Sequence, residues 1–121
     1  MQYLLLINDD ESHWGTMPEA ERDAVYAEYG RYTQELIEAG TLVGANQLQP
    51  GSTATVVNVE DGKTITTDGP FAETKEVLGG YYLIDVETLD EAIEWAAKIP
   101  SARYGHIEVR PIVMREAEVA S

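Results

Sequence analysis

With 121 residues and a hydrophobic content of 44%, the chain is long enough for a single domain, 1–121, with a core of its own. Eight Lys and Arg against 22 Asp and Glu give a formal charge of −14, which repels phosphate backbones and anionic membrane surfaces, so neither nucleic acid nor membrane is an expected partner and the acidity reads as a means of solubility. Cysteine is absent, which excludes disulfides, thiolate catalysis and Cys-ligated zinc, and the apolar stretch from Met1 to Ile7 is too short for a signal core or a membrane span, so a cytoplasmic protein is expected.

Tyr3 to Ile7 is a continuous apolar run and predicts a strand covered on both faces, broken by Asn8 to Ser12. A helix is expected to begin near Thr16 to Pro18, with Thr16 and Glu19 as a capping box. Val25, Tyr29, Tyr32 and Leu36 then fall on one helical stripe, and Gly40 closes the helix. Leu42 to Leu48 predicts a second strand, with Gly44 marking a bulge or a close backbone approach. Asp61-Gly62 between two β-branched runs, Thr55 to Val59 and Lys63 to Thr67, is a strong hairpin signal. Tyr81 to Val86 is a further strand. Thr88 with Glu91 is a second capping box, and it opens a helix whose buried face should be Leu89, Ala92, Ile93, Ala96 and Ala97. The last strand is expected from His106 to Met114, followed by a frayed polar tail, Arg115 to Ser121.

The order β-α-β, hairpin, β-α-β predicts an α+β fold: a ferredoxin-like antiparallel sheet with two helices on one face and an inserted β-hairpin. Two helices cover only one face, whereas the strands at Leu4 to Ile7 and Tyr81 to Ile84 are apolar on both. A bare apolar sheet face is an interface in waiting, so a homodimer packed sheet against sheet is expected.

Five segments carry a family resemblance: Tyr3 to Ile7, Ala39-Gly40-Thr41-Leu42-Val43, Asp68-Gly69-Pro70-Phe71-Ala72-Glu73-Thr74-Lys75-Glu76, Leu78 to Val86, and Ile107-Glu108-Val109-Arg110-Pro111. Over nearly the whole chain they resemble the DGPF branch of the YCII-related family. The resemblance implies a dimeric α+β barrel. It implies a pocket in which some members are proposed to use a His and an Asp for small-molecule chemistry, and a link to stress signalling, because members are often encoded beside extracytoplasmic-type sigma factors. Counted back from Gly40, the helix position that often holds His in the family is Tyr29 here, a poor base at neutral pH.

The candidate residues follow from that loop and stripe. Asp68 is either a general base at a pocket rim or the side chain of an Asx-type turn at Gly69-Pro70. Phe71, the sole Phe, is a wall or lid of the pocket, or a plug sealing the loop on the core. Tyr29 and Tyr32 either turn their hydroxyls into a cavity with Asp68 or bond nearby backbone carbonyls. His106 is either a substitute proton carrier or a solvent-facing strand residue, alternating with Glu108 and Arg110. Arg110 would pair with Glu108 of a partner subunit or with a ligand carboxylate. His13 lies in an acidic loop whose spacing matches no metal site, Trp14 and Trp95 read as packing residues, and Glu73, Lys75 and Glu76 as a solvated face.

Two functions follow. One is a protein that binds a small molecule in a pocket near the Asp68 loop, with Tyr32, Pro70, Phe71 and His106 as ligand contacts. The other is a cofactor-independent isomerase- or lyase-like enzyme in which Asp68 moves a proton and Tyr29 steadies an oxyanion. Neither calls for a metal or a cofactor.

Overall fold

The computed structural model describes residues 1–72 and 74–115. Glu73 and residues 116–121, most of the expected tail, lie outside the described residues. The strands are β1 (Gln2–Asp9), β2 (Leu42–Gln47), β3 (Thr55–Glu60), β4 (Lys63–Asp68), β5 (Val77–Asp85) and β6 (His106–Pro111). The helices are α1 (Glu11–Thr16), α2 (Glu19–Glu38) and α3 (Leu89–Ala97), with short 3₁₀ turns at Gly51–Thr53 and Pro100–Arg103. The class is α+β with antiparallel sheets. None of the described helices is long and apolar enough to cross a membrane.

Four strands form one sheet in the order β2-β5-β1-β6, every pair antiparallel, which is compatible with the expected ferredoxin-like arrangement. Alternation along β1 and β5 sends Tyr3, Leu5, Ile7, Tyr82 and Ile84 to one face, where Tyr32 and Leu36 of α2 and Ala92 and Ala96 of α3 pack on them. Both long helices therefore share that face. Leu5, Leu36 and Ile84 are fully buried, each stabilising the fold by roughly 1.5–3 kcal/mol. The opposite face carries Leu4, Leu6 and Leu83, only half-buried, beside Glu108 and Arg110.

Local signals set the ends of the elements. The α2 C-terminus closes with Gly40 N–H on the Ile37 carbonyl and Thr41 N–H on the Leu36 carbonyl, both at 3.0 Å. The bulge expected at Gly44 appears as a register shift between Leu42 and Gly44 against β5. Asp61 and Gly62 both take positive φ, 49° and 76°, and turn β3 into β4. Gly105 is demanded by contact rather than by φ: a Cβ there would lie 2.1 Å from the Asn8 carbonyl oxygen.

Three expectations need correction. The acidic stretch after β1 is not a simple break: Asp10 caps α1, accepting from the Ser12 amide at 2.9 Å. Thr16 caps nothing, because its hydroxyl donates back to the Ser12 carbonyl at 2.9 Å, and α2 starts behind Pro18. On α3 the row Ala92–Ala96 meets the sheet, while Leu89 and Ile93 stay 47% and 48% exposed and Ala97 is exposed too. Two alanines let the short helix sit close to the sheet along one row, which leaves the neighbouring row facing solvent.

Candidate functional site

A cleft of about 630 Å³ opens where α1 and the N-terminal half of α2 lean over the ends of β2 and β5. Ile7, Ala45 and Tyr82 line its depth, Trp14, Tyr26 and Tyr29 stand on the helical side, and Leu48 to Pro50 form part of the rim. Trp14 and Tyr26 meet edge to face, ring centroids 5.2 Å apart at 87°. The mouth is tied across by Glu11, whose carboxylate accepts the Gly51 amide at 2.6 Å.

Asp9 enters this cleft because the alternation of Tyr3, Leu5 and Ile7 runs on to it, although β1 is bulged against β5 at Ile7/Asn8. Its carboxylate accepts the Asp10 amide at 2.8 Å. Partial burial pushes the Asp9 pKa above the ordinary carboxylate value, with Glu76 adding to the rise. The Asp10 amide, His13 and the Ser101 hydroxyl pull the other way.

Ser101, buried in the turn Pro100–Arg103, joins the two sides of the site. Its hydroxyl is 2.6 Å from the Tyr29 hydroxyl, and it also faces Asp9 closely enough to stabilise the carboxylate, without the full geometry of a hydrogen bond. Burial raises the Tyr29 pKa, which keeps the phenol neutral and a donor. A carboxylate only accepts, so the consistent orientation is Tyr29 donating to Ser101 and Ser101 pointing its proton at Asp9.

The predicted site residues scatter. Tyr29 is in the cleft. Tyr32 is not: its hydroxyl donates to the Trp95 carbonyl at 2.9 Å, the backbone alternative. Asp68 ends β4 on the exposed hairpin, and no side-chain hydrogen bond joins it to another described residue, so the structure brings it neither to Tyr29 nor into an Asx-type bond. Pro70 is exposed near Gly51, and Phe71 is 91% exposed, neither wall nor plug. A loop dense in turn residues leaves its one aromatic ring with nothing to pack on. His106 faces solvent and pairs with Glu76 at 2.8 Å beside a separate shallow groove. Arg110 pairs with Glu108 of its own strand at 2.8 Å. Trp14, expected to pack, is a cleft wall.

Sequence reasoning missed Asp9 and Ser101. The period-two signal for Asp9 was present in β1, but Asp9-Asp10-Glu11 reads as a turn. Ser101 carries no local signal, since its partner Tyr29 is 72 positions away.

The model of the YCII-related domain family matches residues 1–116. An uncharacterized protein of Rhizobium meliloti (strain 1021) is 38% identical over 116 residues, which cover 94% of each chain.

Proposed function

We propose that this chain, which belongs to the YCII-related family, binds a small molecule in the cleft under α1 and α2. One observation carries the reading: a 630 Å³ concavity, mostly apolar, encloses a partly desolvated carboxylate and a phenol linked through one buried serine. Ligand sites have that form, apolar walls with a few converging polar groups. In this reading the expected contacts from the Asp68 loop give way to Asp9, Tyr29 and Ser101, and the exposed Phe71 loop is left free to meet a regulatory partner that senses occupancy. The test is a ¹H–¹⁵N NMR screen of metabolite mixtures. Hits should shift Trp14, Tyr29 and Ser101 together; hits confined to the Asp68–Glu76 loop would defeat the proposal.

The raised Asp9 pKa favours a second, catalytic reading in the same cleft. Ionised Asp9 takes a proton from carbon on a bound ligand and returns it elsewhere on the same molecule, a balanced isomerisation without a cofactor, while neutral Tyr29 donates to the developing charge. Solvent deuterium should then enter a bound ligand with the parent protein and not with Asp9→Asn. Equal rates in both would leave binding alone.

Assembly is the other part of the proposal. The leucine face of Leu4, Leu6 and Leu83 supports a homodimer packed sheet on sheet, closing a barrel between two copies. Sedimentation should give a dimer for the parent and a folded monomer for Leu83→Lys. A monomeric parent at micromolar concentration would refute it.

A further inference from the structure

The charges and rings of the cleft point to the kind of molecule it takes. Asp9, Asp10 and Glu11 contribute three carboxylates, and no Lys, Arg or His lines it among the described residues. Asp10 accepts the Ser12 amide and Glu11 the Gly51 amide, so both acids are fixed in place rather than waving in solvent. Four aromatic side chains complete the lining, Trp14, Tyr26, Tyr29 and Tyr82, while Tyr81 turns its ring to the opposite face of the sheet, where Asn46 donates to its hydroxyl at 2.9 Å. The perpendicular Trp14–Tyr26 pair makes a corner of ring faces and edges at the helical side.

We infer that the cleft selects a compact organic cation, an ammonium ion on an apolar or aromatic body, with Asp9 as its counter-ion and the tyrosines and Trp14 as its cage. The inference rests on the ligand-binding reading of the same cleft. Ring faces attract cations through their quadrupole, and the attraction grows as water is excluded. A neutral body fits the apolar lining, but it leaves the Asp9 charge partly desolvated and unmatched; an anion meets three like charges. The overall charge of −14 acts in the same direction by raising the local concentration of cations.

The test uses three probes of similar shape, phenethylammonium, phenethyl alcohol and 3-phenylpropionate, titrated into the full chain at low ionic strength with NMR mapping. The cation is expected to bind at least about tenfold more tightly than the alcohol, with shifts at Trp14 and Tyr29, and the anion more weakly than both. Asp9→Asn should bring the cation-to-alcohol ratio below about threefold. Should that variant fail to fold, a fall in the parent's ratio on adding salt tests the same charge. The alcohol or the anion binding at Trp14 and Tyr29 as tightly as the cation would overturn the inference and leave the cleft a ligand site. If neither these probes nor the metabolite mixtures shift Trp14 and Tyr29, both readings fall.

Discussion

Replacing Gly105 by Ala puts a methyl group into the backbone of the neighbouring strand. The new Cβ would sit 2.1 Å from the Asn8 carbonyl oxygen and 3.1 Å from the Asp9 Cα, where ordinary contact begins at 3.4 Å. The obstructing atoms are main chain, so no side chain can rotate away. The strain must part β1 from β6 at the Asn8↔His106 end, or pull Gly105 from the Ser101 carbonyl that its amide donates to at 2.8 Å. Losing about two backbone hydrogen bonds at ~1 kcal/mol each, with an overpacking cost of ~1–3 kcal/mol, predicts a destabilisation of about 3–5 kcal/mol. For a domain of 121 residues the Tm should fall by about 12–20 °C. Urea unfolding followed by tryptophan fluorescence, with thermal melts by circular dichroism, measures both. Gly30→Ala is the control: a Cβ there meets no heavy atom within 4 Å inside α2, so it should gain about 0.5–1 kcal/mol. A Gly105→Ala protein within about 0.5 kcal/mol of the parent would refute the argument. Because Ser101 and Asp9 flank the clash, the variant should also shift the NMR signals of the cleft.

Other outcomes follow from the same geometry. Tyr29→Phe and Ser101→Ala share one hydrogen bond of 2.6 Å, so a double-mutant cycle should return a coupling of about 0.5–1.5 kcal/mol; additive losses would mean that the hydroxyls do not interact. The folded pKa of Asp9 lies above its unfolded value of 3.8, so the folded state holds this proton more tightly. Its penalty is full above the folded pKa and fades as pH falls through that value toward 3.8. Asp9→Asn should therefore gain on the parent as pH rises across this window and hold a constant lead above it, with His13, Glu76, Asp10 and Ser101 as the neighbours that set the midpoint. A carboxyl ¹³C titration of Asp9 with its midpoint at or below 3.8 would contradict this. Thr88→Ala removes the acceptor of the Glu91 amide, 3.2 Å away, at the start of α3 and should cost about 1 kcal/mol in urea, most of it restored by Thr88→Ser.

The fold was legible wherever a local rule agreed with the global arrangement. Asp61-Gly62, Gly40, Gly44 and Thr88 each act within a few residues of themselves, and the stripe Val25, Tyr29, Tyr32, Leu36 faces the core as its period requires. The readings that failed were those in which tertiary contact decides. Leu89 and Ile93 fit a buried helical face by period, but whether a second row finds a partner depends on how far the sheet extends beneath it. Of the site, Tyr29 was found because it lies on a helix stripe. Asp68 drew attention because turn residues concentrate there, and turn chemistry marks where a chain reverses, not what its side chains face. Asp9 and Ser101 meet only after β1 and the turn before β6 come together, and a single sequence does not display that meeting.

Among the described residues the hairpin β3–β4 pairs only with itself, and the four-stranded sheet forms without it. It therefore behaves as an appendage inserted between β2 and β5, and its tip at Asp61-Gly62 is a place where an epitope or a fluorophore can be spliced without disturbing the core. Its root is less free. Gly51, four residues before the hairpin begins at Thr55, is held by Glu11 of α1 at 2.6 Å, so the appendage works as a handle on the cleft's mouth. A protein that grips the handle and a molecule that fills the cleft would act on the same short strut, and each would bias the hold of the other by an equal factor.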